Sequence, residues 1–149
     1  MDAILHTVNA MEVSGRKKED HTVLLMDVKG AFDNVSKTAL LSTLNHFGLP
    51  GNLLAWVDNF MSDRRTTLSF DGRSDASLPV KTGIPQGSPV SPILFLLYVR
   101  PLFDIIEQKH PLILTRSYID DIKLSIGGDP VDNVHELKET TITVNQWAK

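Results

Sequence analysis

The chain has 149 residues, of which 42% are hydrophobic and 22% charged, values that are ordinary for a soluble globular protein. Its net charge of −3 is less basic than that of most complete nucleic-acid polymerases, and the absence of cysteine excludes disulfides, zinc–thiolate sites and thiol catalysis. The longest apolar run, residues 93–99, is too short to cross a bilayer, and no signal peptide is visible. We therefore expect a soluble intracellular protein of the nucleus or cytoplasm that has no membrane partner.

The first half of the chain predicts helices around one short apolar strand. Residues 3–11 have helical apolar spacing, and residues 14–20 are polar and predict a loop. The continuous apolar run 23–26 is typical of a strand buried on both faces, and it ends at Asp27. Two further helices are predicted, one from Ser36 to His46 and one opened by Pro50.

The second half predicts two hairpins and two long helices. Residues 64–70 and 77–81 flank an Asp-Gly turn, and a loop rich in Gly and Pro follows at 83–89. The remaining segments are an apolar helix that ends near Glu107, a hairpin over 112–126 and a helix over 132–147. Helices mixed with antiparallel hairpins predict an α+β fold, and no interior linker is visible, so we expect one domain over residues 1–149.

Two adjacent carboxylates, Asp120 and Asp121, occupy the tip of the second predicted hairpin. Like charges held this close repel each other, and the pair is best satisfied by water or a cation. If the strand that ends at Asp27 lies beside this hairpin, three carboxylates converge. Such a group suits a divalent-metal site, and carboxylate-held metals mostly act on phosphates.

Three segments carry a family resemblance. Asp27-Val28-Lys29-Gly30-Ala31-Phe32-Asp33, the segment 83–92 (GIPQGSPVSP) and Tyr118-Ile119-Asp120-Asp121 resemble, in this order, three palm motifs of reverse transcriptases. The segments 47–50 (FGLP) and 63–65 (DRR) are similar to the non-LTR, LINE-like group. The resemblance spans roughly residues 3–147 and implies a polymerase-palm-like fold, in which an antiparallel sheet with an aspartate-tipped hairpin packs on helices.

The resemblance also implies roles for individual residues. Asp27, Asp120 and Asp121 would be catalytic and, together with the backbone carbonyl of Val28, would bind two Mg²⁺ ions, with Mn²⁺ as an alternative. Without the motif order, Asp27 would be better explained as a helix or turn cap and the Asp pair as a solvated turn.

The remaining implied roles concern nucleotide and nucleic acid. Phe32, Gln86 and Gly87 would bind the nucleotide, and the Phe32 ring would exclude a 2′-hydroxyl. The implied primer or template contacts are Tyr118, Arg64 and Arg65. The structural alternatives are a core phenylalanine, a loop shaped only by its Pro and Gly residues, a sheet-filling tyrosine and solvated arginines.

The implied function is RNA-directed DNA polymerisation, whose partners are an RNA template, a DNA primer and deoxynucleoside triphosphates. The chain would be a palm with a remnant of the fingers and without the thumb, and the missing basic regions would account for its net charge. Whether the isolated fragment is an active enzyme stays open. The alternatives are an inactive retroelement relic, a nucleic-acid-binding fragment without catalysis, and a two-metal phosphohydrolase or nuclease. The last of these usually adds a histidine or glutamate, and the five histidines show no ligand spacing.

Overall fold

The computed structural model describes residues 3–148 and divides the chain into two compact units. One unit contains the described residues up to Lys29 and those from Arg100 onward, and the other is Gly30–Val99. The helices are α1 (Ala3–Lys17), α2 (Lys37–His46), α3 (Gly51–Met61), α4 (Ser91–Lys109) and α5 (Pro130–Trp147). The strands are β1 (Asp20–Asp27), β2 (Arg65–Thr66), β3 (Ser69–Phe70), β4 (Arg73–Ser74), β5 (Leu78–Pro79), β6 (Leu114–Tyr118) and β7 (Asp121–Gly128).

The first unit is built on a three-stranded antiparallel sheet in the order β1-β7-β6. Side chains alternate between its two faces, and one face forms the hydrophobic core with the second half of α4 and with α5. The buried members of this core are Leu102, Ile106, Ile113, Ile122, Leu124, Ile126 and Leu137. Burial on this face fixes the register, because a slip of one residue would turn the apolar set to the other face.

Buried polar side chains attach α5 to the rest of this unit. Asn133, which is 1% exposed, donates from Nδ2 to the carbonyl of Asp20 at 3.1 Å and to Thr22 Oγ1 at 3.2 Å. His110, just after α4, contacts Glu136 Oε1 through Nδ1 and Thr143 Oγ1 through Nε2, each at 2.9 Å. These bonds satisfy polar atoms that would be costly to bury alone.

The opposite face of the sheet contacts α1, and this region corrects two predictions. Residues 14–17 were predicted as loop but belong to α1, where the buried Ser14 hydroxyl lies 3.1 Å from His21 Nδ1. β1 was predicted to be buried on both faces, but it is an edge strand, and Leu25 is 74% exposed. An apolar run alone does not distinguish a central strand from an edge strand.

The second unit contains α2, α3, two short strand pairs and the start of α4. Ser36 caps α2 as predicted, because its hydroxyl accepts from the Ala39 amide at 3.3 Å. An ion pair of 2.7 Å between Lys37 and Asp58 joins α2 to α3. The predicted hairpin forms as two pieces, β2 with β5 and β3 with β4.

Within residues 3–148, no helix combines the length and apolarity needed to cross a membrane.

Candidate active site

The three predicted catalytic aspartates lie at one end of the sheet in the first unit. In the antiparallel register, Asp27 at the end of β1 faces Asp121 at the start of β7, and Asp121 also faces Tyr118 on β6. Directly opposed residues have Cα atoms about 4.5–5.5 Å apart, and their side chains point to the same face. Asp120 is in the two-residue turn that joins β6 to β7. The sheet thus brings Asp27 and Asp121 together across two strands, and Asp120 directly precedes Asp121 in the chain.

The turn that carries Asp120 is strained. Ile119 has φ of +56°, a left-handed conformation that a β-branched residue rarely adopts. Such a residue costs on the order of 1–3 kcal/mol, and this strain concentrates at functional sites. The tight connection holds Asp120 at the sheet edge, where its side chain is half-buried and that of Asp121 is exposed.

A cavity of about 440 Å³ opens beside Asp27 and Asp121. Its lining also includes Leu25, Arg116 and Lys123, and the last two face each other across β6 and β7. Burial and, less strongly, Arg116 lower the pKa of Lys123, whose amine donates to the Thr7 hydroxyl of α1. Asp27 and Asp121 therefore lie at one end of this cleft. The basic side chains of Lys123, two residues after Asp121 on β7, and of Arg116, opposite it on β6, line the same cleft.

The donor set at this edge fits a hard divalent cation. Asp27 and Asp121 are exposed, and the carboxylate of each offers only oxygen atoms as metal ligands. Within the described residues, no three histidine, aspartate or glutamate side chains form a ready-made cage for an ion. Mg²⁺ does not need such a cage, because it keeps several waters and is usually held by one or two carboxylates together with substrate phosphates. Val28, the next residue after Asp27, packs its side chain against the core of this unit.

In the second unit, the loop after Gly30 is joined to the loop that precedes α4. The Gly83 amide donates to the Val35 carbonyl at 2.9 Å, and the Ile84 amide donates to the Phe32 carbonyl at 2.7 Å. Gly83 has φ of +82°, and a Cβ there would lie 2.7–2.8 Å from backbone atoms of Phe32 and Asp33. Only glycine satisfies both the backbone conformation and the close approach.

The predicted nucleotide-binding residues Phe32, Gln86 and Gly87 are on these two loops. Phe32 is half-buried, and its ring stacks on the buried ring of Phe95 with centroids 5.4 Å apart. Gln86 is exposed, and its Nε2 donates to Asp33 Oδ1 at 3.0 Å. Gly87 has φ of +83°, and a Cβ there would meet no atom within 4 Å, so its surroundings are open. The loops therefore hold Phe32 and Gln86 in defined positions.

The three residues predicted to contact primer or template have different surroundings. Tyr118 is 73% exposed at the aspartate end of the sheet. Arg64 donates to the carbonyls of Met61, Thr82 and Gly83 at 3.3, 2.8 and 2.6 Å, so its guanidinium braces the loop before α4. Arg65 is exposed and donates to the carbonyl of Ser77 at 2.7 Å.

A comparison with protein families identifies the chain. The family model described as "Reverse transcriptase (RNA-dependent DNA polymerase)" matches residues 2–149. The chain belongs to the reverse transcriptase family. The predicted relationship to reverse transcriptases is thereby confirmed.

Curated relatives confirm the non-LTR type of this reverse transcriptase chain. It is 27% identical over 95 residues to the "Retrovirus-related Pol polyprotein from type-1 retrotransposable element R2" of Popillia japonica, covering 64% of the chain and 16% of that protein. It is 26% identical over 153 residues to the "RNA-directed DNA polymerase from mobile element jockey" of Drosophila melanogaster, covering 97% of the chain and 16% of that protein. The chain thus spans about a sixth of the length of these two relatives.

A solved structure supports the fold. The chain superposes on "apo telomerase from Candida Tropicalis truncated from C-terminal domain" with a TM-score of 0.65 and 15% identity, covering 94% of this chain and 31% of that one. At this identity the likeness concerns the fold alone. It confirms the predicted α+β, polymerase-palm-like class of this reverse transcriptase chain.

Several neighbours of the reverse transcriptase motifs were missed from the sequence. Leu25 and Lys123 could have been found, because they lie two residues from Asp27 and Asp121 on strands whose side chains alternate. The partnership of Asp33 with Gln86 joins residues 53 positions apart, and no local signal predicts it. The bracing role of Arg64 likewise depends on carbonyls that are distant in sequence.

Proposed function

We propose that the chain is the catalytic palm of an RNA-directed DNA polymerase that transfers deoxynucleotides to a primer under the direction of an RNA template. The observation that carries the proposal is the register that opposes Asp27 and Asp121, next to Asp120, in a member of the reverse transcriptase family. The jockey relative is itself named an RNA-directed DNA polymerase. RNA template, DNA primer and deoxynucleoside triphosphates are the proposed partners, and regions equivalent to fingers and thumb are proposed for the full-length protein.

The proposed reaction is a nucleotidyl transfer that needs no covalent protein intermediate. The primer 3′-hydroxyl attacks the α-phosphate of the triphosphate, a new P–O bond forms, the α–β phosphoanhydride bond breaks, and the hydroxyl proton and pyrophosphate leave. Asp27, Asp120 and Asp121, with the Val28 carbonyl, would hold two Mg²⁺ ions, or Mn²⁺ in their place. The chemistry that such cations supply is activation of the attacking hydroxyl and neutralisation of charge on the triphosphate.

The chain's other residues would position the reactants. Phe32, whose ring is fixed by Phe95, would face the sugar and select against a 2′-hydroxyl. Gln86 and Gly87 would contact the nucleotide, because the space around Gly87 is open and the Gln86 amide can both donate and accept. Tyr118 and Arg65, both exposed, are proposed to contact primer or template. The proposed contribution of Arg64 to primer or template binding acts through the loop that it braces.

Primer extension on an RNA template tests the proposal. The assay uses the chain itself and the longest open reading frame that encodes it, with all four deoxynucleotides and Mg²⁺. We expect template-dependent extension that falls at least about 100-fold in Asp27→Asn and Asp120→Asn, because electrostatic groups of this kind contribute on the order of 10²–10³ in rate. Asp132→Asn, which removes an exposed carboxylate on α5, is the matched control and keeps full activity.

The same assay separates the rival functions. Metal-dependent shortening of the strand would indicate a phosphohydrolase or nuclease. Binding without extension in either protein would indicate a fragment that only binds nucleic acid. Neither binding nor extension would indicate a relic. Extension that survives Asp120→Asn at full rate would contradict the role of the hairpin carboxylates.

A further inference from the structure

We infer that Asp33 is a positioning residue that fixes the orientation of the Gln86 amide for nucleotide recognition. The inference rests on the proposed function of Gln86. It adds a residue for which the family resemblance implies no metal or nucleotide contact, although Asp33 lies within the first palm motif.

The geometry starts from the two joined loops of the second unit. Their backbones are tied by the amide-to-carbonyl bonds from Gly83 to Val35 and from Ile84 to Phe32. The absent side chain of Gly83 permits this approach, because a Cβ would press on the backbone of Asp33. Gln86 therefore starts from a backbone that is already fixed relative to Asp33, which lowers the entropy cost of holding its side chain.

The chemistry of the pair then decides which way the Gln86 amide points. An ionised carboxylate can only accept hydrogen bonds, so the Gln86 NH₂ group must face Asp33 Oδ1, as it does at 3.0 Å. The amide oxygen of Gln86 is thereby turned away from Asp33 and remains available as an acceptor. The amide group of an asparagine at position 33 could donate as well as accept, so both orientations of Gln86 would become populated.

The side-chain contacts of Ser91 and Arg64 with this loop hold its backbone and not the Gln86 amide. Ser91 donates to the carbonyl of Pro85, and Arg64 donates to the carbonyls of Thr82 and Gly83. All three carbonyls precede Gln86 in the chain, and the Ser91 bond ties the residue before Gln86 to the start of α4, whereas Asp33 contacts the Gln86 side chain directly. Loss of Asp33 should therefore change the amide orientation without unfolding the loop.

The link itself is tested by NMR on the full chain, without nucleotide. The side-chain NH₂ resonances of Gln86, assigned by their loss in Gln86→Ala, should shift in Asp33→Ala and shift less in Asp33→Asn. Asp75→Asn, which removes an exposed carboxylate elsewhere in the same unit, should leave them unchanged. Unmoved Gln86 resonances in Asp33→Ala would overturn the inference.

Binding of dATP in the presence of Mg²⁺, measured by calorimetry, tests the consequence. We expect Asp33→Ala to raise the Kd about 3–10-fold, as for loss of one partly exposed charge-assisted hydrogen bond, with partial rescue in Asp33→Asn. In a Gln86→Ala background, Asp33→Ala should add less than about a twofold effect, because a residue that acts through Gln86 shows full coupling to it.

Two outcomes distinguish the inference from the proposed function. An equal loss of dATP affinity from Asp33→Ala in both backgrounds would show that Asp33 acts independently of Gln86 and would overturn the inference. A chain that binds no dATP, although its Gln86 resonances respond to Asp33→Ala, would contradict the proposed function and leave the side-chain link standing.

Discussion

Gly83→Ala should destabilise the chain far more than a glycine substitution at an otherwise similar backbone position. Gly83 and Gly48 have φ of +82° and +75°, so alanine at either position carries a left-handed penalty of roughly 1–2 kcal/mol. Part of this penalty is offset, by about 0.4–1 kcal/mol, because alanine restricts the unfolded chain. The conformational cost at the two positions is therefore nearly the same, and Gly48 is the matched control.

The surroundings of the two glycines differ. A Cβ at Gly48 would meet no atom within 4 Å, whereas one at Gly83 would lie 2.7–2.8 Å from backbone atoms of Phe32 and Asp33. Relieving that overlap moves the loops apart and weakens the two hydrogen bonds that join them, each worth about 1 kcal/mol. We expect losses of about 3 kcal/mol for Gly83→Ala and about 1 kcal/mol for Gly48→Ala.

Urea unfolding followed by circular dichroism measures both free energies. The same measurement gives the m-value, and an unchanged m-value shows that the variants expose the same amount of surface on unfolding. Equal losses in the two variants, or a larger loss for Gly48→Ala, would refute the close approach of the two loops.

Three further substitutions test other parts of the account. Asn133→Leu removes two hydrogen bonds to β1 and should lower the free energy of unfolding by about 1–3 kcal/mol, whereas Asn145→Leu on the exposed side of α5 should change it by less than about 0.5 kcal/mol. Arg64→Leu should lower the melting temperature by several degrees, about 4 °C or more, because three carbonyls lose their donor, while Arg73→Leu on the exposed hairpin should not. Burial lowers the pKa of His21 below its ordinary value of 6.5, so the unfolded chain binds the proton first as the pH falls. The free energy of unfolding should therefore decrease as the pH is lowered from 6.5. Urea titrations at several pH values should show a smaller decrease in His21→Asn than in the unmodified chain.

The sequence predicts elements well where local chemistry determines them. The Asp-Gly turn between β3 and β4, the Ser36 cap of α2 and the hairpin that carries Asp120 form where turn residues, a capping hydroxyl and apolar alternation predict them. A meeting of Asp27 with the hairpin was expected only if its strand lies beside that hairpin, and the antiparallel pairing of β1 with β7 supplies this arrangement.

The sequence fails where distant contacts decide the outcome. Residues 14–17 look like a polar loop, but they continue α1, and Ser14 is buried against the sheet through His21 and Gly127. The contacts of Arg64 with carbonyls 18 and 19 residues away likewise have no signal in the sequence around it. Neither outcome is encoded in a local pattern, because the partners meet only after folding.

Addition of Mn²⁺ to the isotopically labelled chain tests the central claim most directly. The ion broadens NMR signals near its binding site, and Mn²⁺ prefers the same oxygen ligands as Mg²⁺. We expect the amide signals of Asp27, Val28, Asp120 and Asp121 to broaden first, and Asp27→Asn to weaken this effect while Asp132→Asn leaves it unchanged. Broadening that begins elsewhere, or that is the same in Asp27→Asn, would contradict a metal site at the aspartate end of the sheet.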